Sequence, residues 1–141
     1  MWSKKTKMKK ILIIVSTYYK EVSDNLLNGA ENILRENNLD FEVKKIEGSL
    51  EIPFLLKKYI KEYDGYIILG CVIQGETDHY EVVKNISLNN IYKIAYENEV
   101  ALASALLTVK NFEQALERSK IDKKNLGGKA AKVCLNLLKV L

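Results

Sequence analysis

The chain contains one histidine, His79, within the stretch GETDHYEVV that runs from Gly75 to Val83. Imidazole is the side chain that most readily gives and takes a proton near neutral pH, so His79 is a candidate for proton transfer. A histidine at a helix start can equally cap or pack. Gly75, Thr77 and Asp78 are turn and helix-cap residue types, and a helix N-terminus bearing a threonine also suits a phosphate group. A carboxylate, Glu51, lies in GSLEIP, where it also suits the positive end of a helix dipole. Two adjacent aromatics, Tyr18 and Tyr19, lie in STYYKE. Other chemistries lack their signatures. There is no GxxxxGK[ST] loop and no GxGxxG fingerprint. No serine or cysteine stands in a nucleophile elbow. The two cysteines, Cys71 and Cys134, are far apart and match no metal-ligand spacing, so no catalytic metal is expected.

These groups must be positioned by the elements around them, and the elements alternate. KILIIVS (Lys10–Ser16) is a near-continuous apolar run of strand type. Val22, Leu26, Ala30, Ile33 and Leu34 then recur at helical spacing, with Ser23 and Asp24 capping that helix or lying in its first turn. FEVKKIE (Phe41–Glu47) alternates like a half-exposed strand. Pro53 suits the first turn of a second helix, which is predicted to run to about Tyr63. YIILGCVI (Tyr66–Ile73) is the most apolar strand. Residues 79–97 form a longer helix with Val82, Val83, Ile86, Ile91, Ile94 and Ala95 near one face. VALASALLTV (Val100–Val109) is a fourth strand, NFEQALER a short helix opened by an Asn111 cap, and GGKAAKVCLNLLKVL a last helix. The order βαβαβαβαα requires right-handed crossovers. It predicts an α/β, flavodoxin-like three-layer sandwich: a four-stranded parallel sheet with helices on both faces.

In such a sheet, ligands bind outside the carboxyl ends of the strands. Those ends are Ser16 to Tyr19, Glu47 to Glu51, Ile73 to His79 and Thr108 to Asn111. The topology therefore gathers Tyr18, Glu51 and the Gly-Glu-Thr-Asp-His cluster, although they are scattered along the chain.

At 141 residues, with 48% hydrophobic and 28% charged residues, the composition is that of one soluble globular domain. Residues 1–9 read as a basic tail and residues 10–141 as the domain. The net charge of +4 collects in the N-terminal run and in SKIDKK. Such runs are ordinarily solvated, and no basic stripe interleaved with aromatics is present, so no nucleic-acid partner is expected. No apolar run reaches membrane-spanning length and no signal-peptide cleavage site follows the basic start. Both cysteines lie in apolar settings, which fits a reducing compartment, and the expected location is the cytoplasm.

Four segments in order resemble the 6,7-dimethyl-8-ribityllumazine synthase family. GSLEIPFLLKKY is similar to the family's Gly-Ala/Ser-aromatic-Glu-Ile-Pro segment. LGCVIQGETDHYEVV is similar to its Gly-x-Val-Ile-Arg/Lys-Gly-x-Thr-x-His-Phe/Tyr stretch. LLTVKNFEQALERS is similar to its Leu-Thr…Glu-Gln-Ala-x-x-Arg stretch, and NLGGKAA falls where Asn-Lys-Gly is usual. The similarity is collinear from about Lys10 to the C-terminus.

The resemblance implies condensation of 5-amino-6-(D-ribitylamino)uracil with 3,4-dihydroxy-2-butanone 4-phosphate, the penultimate step of riboflavin biosynthesis, without metal or organic cofactor. It implies proton transfer by His79 and stacking of Tyr18 on the pyrimidine. It implies ribityl contacts from Ser49, Leu50 and Glu51, and backbone contacts to the pyrimidine edge from Cys71, Val72 and Ile73. Glu76 and Thr77 face the phosphate, and Arg118 holds it through charge-assisted bonds. Arg118 and Ser104 would come from a neighbouring subunit, because the family's site lies between subunits of a pentamer. The implied partners are therefore two small molecules and further copies of the chain, as a pentamer or a shell of pentamers. Several positions depart from the family's pattern. Ser104 stands where a Phe commonly covers the pyrimidine, Gln74 replaces an Arg or Lys, Leu126 replaces a Lys and Tyr19 replaces a common Asn. These departures keep an alternative in view: a non-catalytic lumazine or flavin binder, or a shell-forming homologue.

Overall fold

The structure is a computed structural model that describes residues 10–76 and 79–141. The basic tail and Thr77 lie outside the described residues. Four strands, β1 (Lys10–Ser16), β2 (Asp40–Ile46), β3 (Gly65–Ile73) and β4 (Ala101–Val109), form one sheet in the order β2-β1-β3-β4, every pair parallel. Helices α1 (Lys20–Glu36), α2 (Ile52–Lys58), α3 (Tyr80–Asn98), α4 (Phe112–Ser119) and α5 (Leu126–Val140) cover it, and a single 3₁₀ turn, Ser49–Glu51, precedes α2.

The burial explains the sequence pattern. β3 is buried at every residue, and β1 at every residue after Lys10. A parallel strand covered on both faces has no solvent side, so its sequence is apolar throughout rather than alternating. Odd-numbered residues of β1 (Ile11, Ile13, Val15) join a core layer with Val22, Leu26 and Leu34 of α1 and with Ala130, Ala131 and Cys134 of α5. Even-numbered residues (Leu12, Ile14) join the opposite layer with Ile52 and Leu56 of α2 and Ile91 and Ala95 of α3. β2 is an edge strand with no fully buried residue; exposed and half-buried residues alternate from Asp40 to Val43, and the period slips at Lys44. The α1–α5 crossing is close. A Cβ on Gly127 would collide with the Leu26 backbone, so only glycine permits this approach.

Two expectations are corrected. The helix expected to reach Tyr63 ends at Lys58. Its next turn would pair the Tyr63 N–H with the Tyr59 carbonyl. Instead the hydroxyl of buried Tyr66 intervenes, donating to the Tyr59 carbonyl at 2.6 Å and accepting the Tyr63 N–H at 3.3 Å. Lys61 takes a left-handed φ of 68°, which completes the break. The second correction concerns α3. Its buried residues are Ser87, Ile91 and Ala95, whereas Val82 and Ile86 are exposed. Apolar residues occur on more than one side of this helix, so periodicity could not select the face that packs. At the other helix starts local chemistry decides. The Asn111 side chain accepts the Gln114 N–H at 2.8 Å, as its cap position requires. Ser23 and Asp24 lie within α1, whose cap position is Tyr19.

Candidate active site

The connection from β1 leads to β2 on one side, and the next crossover places β3 on the other. The chain thus parts at the carboxyl ends of β1 and β3, where an open α/β sheet leaves a crevice. A cavity of about 250 Å³ lies there. β1 supplies Tyr18 and Tyr19 to its wall, the segment after β2 supplies Gly48 to Glu51, and β3 supplies Cys71, Val72 and Ile73. Glu76 and Val83 complete it.

Hydrogen bonds tie the strand ends together. Ser16 Oγ donates to the Glu47 carbonyl at 2.7 Å, and the Thr17 N–H donates to the Ile46 carbonyl at 2.9 Å. On the other side the Gln74 N–H donates to the Val109 carbonyl at 2.8 Å. Buried Ser49 lies with its Oγ 3.5 Å from that of Ser16. The Glu76 N–H then bonds the Ile73 carbonyl at 3.2 Å across a turn in which Gly75 has a φ of 91°. A Cβ at Gly75 would have open space around it, so the glycine answers a backbone need rather than a steric one. This turn leads toward His79, which is exposed and occupies the cap position of α3. The His79 carbonyl accepts the Val83 N–H at 2.8 Å, so His79 lies one helical turn ahead of a cavity-lining residue.

Burial tunes two groups in the wall. It pushes the Cys71 thiol up to about 12, which makes it an inert apolar surface rather than a nucleophile. Burial, and after it the charge of Glu76, pushes the Tyr19 phenol up to about 12, so its hydroxyl stays neutral. Among the described residues no group of three or more His, Cys, Asp or Glu is placed to hold a metal ion, and no helix is long and apolar enough to cross a membrane.

The structure thus brings Tyr18, Ser49, Leu50, Glu51, Cys71, Val72, Ile73 and Glu76 to one cavity. His79, Ser104 and Arg118 are not part of that cavity's wall within the same chain. Ser104 lies midway along β4, paired in register with Ile68. Its Oγ accepts the Leu106 N–H at 3.1 Å and hydrogen-bonds Tyr92. Arg118 lies in the last turn of α4 and donates from Nη1 to Gln114 Oε1 at 3.3 Å, an oxygen that also accepts the Lys110 N–H at 2.9 Å. Three wall residues were given no contact by the sequence: Tyr19 and Gly48 lie in the expected strand-end segments, and Val83 lies beyond them. Gly48 adjoins Ser49, Val83 follows His79 by four residues, and Tyr19 adjoins Tyr18.

The sequence profile of 6,7-dimethyl-8-ribityllumazine synthase matches residues 8–141. The chain belongs to the 6,7-dimethyl-8-ribityllumazine synthase family. The lumazine synthase of Bartonella tribocorum is 39% identical over 131 residues, covering 91% of this chain and 87% of its own length. That of Novosphingobium aromaticivorans is 40% identical over 133 residues, covering 93% and 95%. A substrate binding protein with adhesive properties from Clostridium difficile has a solved structure that is 17% identical. It aligns over 94% of this chain and 41% of its own with a TM-score of 0.51, a likeness of fold alone. As a lumazine synthase family member, the chain is a transferase of riboflavin biosynthesis. The collinear resemblance read from GSLEIP, GETDH and the segment containing Arg118 agrees with that membership.

Proposed function

We propose that this chain condenses 5-amino-6-(D-ribitylamino)uracil with 3,4-dihydroxy-2-butanone 4-phosphate to give 6,7-dimethyl-8-ribityllumazine. The observation that carries this is the convergence of Tyr18, Ser49–Glu51 and Cys71–Ile73 on one crevice at the sheet's switch point. An aromatic face, a carboxylate and a strand end are what a flat, edge-polar ring with a polyhydroxyl tail requires. The amine adds to the ketone and water leaves as the imine forms. Phosphate is then eliminated, and attack of the second nitrogen closes the ring with loss of a second water. Tyr18 stacks on the pyrimidine, and the backbone of Cys71 to Ile73 meets its polar edge. Glu51 accepts bonds from ribityl hydroxyls, with Ser49 and Leu50 beside it. Glu76 and Thr77 are assigned to the phosphate, and His79 moves the protons from the start of α3. The reaction requires no metal or organic cofactor.

Arg118 and Ser104 serve the site of a neighbouring copy in this proposal, which makes assembly a condition of full activity. An exposed apolar face supports a homo-oligomer, either a pentamer or a shell of pentamers. Leu50, Phe54 and Ile86 line a groove between α2 and α3 on that face. The two buried free thiols support a cytoplasmic setting. Residues 10–141 act as one lumazine-synthase-like domain behind a basic tail.

The test is product formation. Purified protein is mixed with both substrates, and lumazine absorbance is followed against His79→Ala and a no-enzyme blank. The expected wild-type rate stands well above both. A wild type equal to the blank, in folded and assembled protein, overturns the catalytic assignment and favours a non-catalytic binder. A wild type faster than the blank but matched by His79→Ala removes His79 from the chemistry.

A further inference from the structure

Tyr18 is 65% exposed, so its ring projects into the crevice with little to hold it. A ring that must be ordered by the ligand costs rotamer entropy on binding, and a ring ordered in advance does not. The structure offers one support. The ring of Tyr19 meets that of Tyr18 at an interplanar angle of 84° with centroids 4.9 Å apart, a favoured edge-to-face geometry. Tyr19 is itself anchored, because it packs against the core layer built on α1 and β3. The other cavity-lining side chains supply no aromatic ring. Ser104 on β4 supplies none either.

We propose that Tyr19 is a positioning residue whose ring fixes Tyr18 face-on to the cavity, so that this chain grips the pyrimidine with a tyrosine pair. The inference rests on the assignment of Tyr18 to the pyrimidine in the proposed function. It is the ring of Tyr19 that matters, not its hydroxyl. Burial, and after it the charge of Glu76, keeps that hydroxyl neutral.

The experiment compares wild type with Tyr19→Phe, Tyr19→Leu and Tyr19→Asn. Each variant is first checked for native assembly and melting temperature. Two quantities are then read: the KM of each substrate, and the Kd of ribitylaminouracil alone by calorimetry. Tyr19→Leu keeps the apolar packing and removes the ring, and it covers the case in which Tyr19→Asn fails to fold. Loss of one aromatic pair is expected to raise KM and Kd for ribitylaminouracil about three- to tenfold. The kcat and the KM for the butanone phosphate stay at wild-type values, and Tyr19→Phe behaves as wild type. Unchanged pyrimidine affinity in Tyr19→Leu overturns the inference. So does an equal rise in both KM values, which marks a general structural effect, or a loss in Tyr19→Phe as large as in Tyr19→Leu. A wild type that makes no product yet binds the pyrimidine in a Tyr19-dependent way overturns the synthase reaction and leaves the tyrosine pair standing. A wild type that turns over while Tyr19→Leu binds equally well overturns the pair alone. A wild type that binds no ribitylaminouracil overturns both.

Discussion

The Glu51 side chain folds back over Gly48. Its backbone N–H donates to the Gly48 carbonyl at 3.2 Å, and its carboxylate oxygen fills the space that a Gly48 Cβ would need. The glycine therefore sets where the carboxylate points, three residues before the carboxylate itself.

Gly48→Ala is expected to fold normally and bind poorly. The only group in the way is the far end of a flexible side chain, which can rotate at little cost to the fold. In the proposed reaction, rotation removes a charged hydrogen-bond acceptor from the ribityl chain, an interaction worth about 1.5–3 kcal/mol. The KM for ribitylaminouracil should rise about tenfold or more, while the melting temperature stays near wild type. A pronounced fall in melting temperature with unchanged KM would show that Glu51 does not depend on Gly48 for its aim.

Gly127→Ala should do the opposite. Its Cβ would meet the Leu26 carbonyl, carbon and Cα, which are backbone atoms that cannot step aside. α1 and α5 must separate, at a cost of about 1–3 kcal/mol. The denaturant midpoint should fall with the m-value unchanged. A midpoint equal to wild type would mean that the crossing is more compliant than its geometry indicates.

Alkaline pH should destabilise the fold through its thiols. Burial pushes Cys71 and Cys134 from an ordinary value of 9.0 up to about 12. The unfolded chain releases these protons at lower pH than the folded chain does. Their contribution is intact below the unfolded value and is lost as pH rises toward the folded one. Each thiol should remove about 1.4 kcal/mol per pH unit within that window. Urea midpoints at about pH 8 and about pH 10.5 give the comparison, and Cys71→Ala with Cys134→Ala should shrink the difference. A wild-type loss that the double variant reproduces in full would assign it to other groups.

Phe54→Glu should dissociate the proposed homo-oligomer. Phe54 is 75% exposed and shares its groove with Leu50 and Ile86. A carboxylate there remains solvated in a single chain and would be desolvated in a packed interface. Sedimentation should show smaller species, and activity should fall with them because Arg118 lies outside the cavity of its own chain. An intact oligomer would place the subunit contact on another face.

Much of this molecule is legible residue by residue. The bounds of β1, Lys10–Ser16, coincide with the apolar run that predicts it. The Asn111 cap, the buried positions of α1 and the parallel alternation follow from propensity and period, which act between neighbours in sequence. The candidate residues at the ends of β1, β2 and β3 were legible because topology alone gathers them there.

Other features depended on groups remote in sequence. The end of α2 is set by the Tyr66 hydroxyl, which takes the pair of backbone groups that one more helical turn would have used. The buried face of α3 was chosen by the sheet beneath it, because the helix itself carries apolar residues on several sides. The aim of Glu51 depends on Gly48, and the support of Tyr18 on the ring of Tyr19. By itself the sequence determined the elements, their order and the end of the sheet where the candidate site lies, since hydrophobic period and chain connectivity are local properties. Only the tertiary structure decided which helix face is buried and which side chains support one another in the crevice, because these depend on contacts through space that no local pattern encodes.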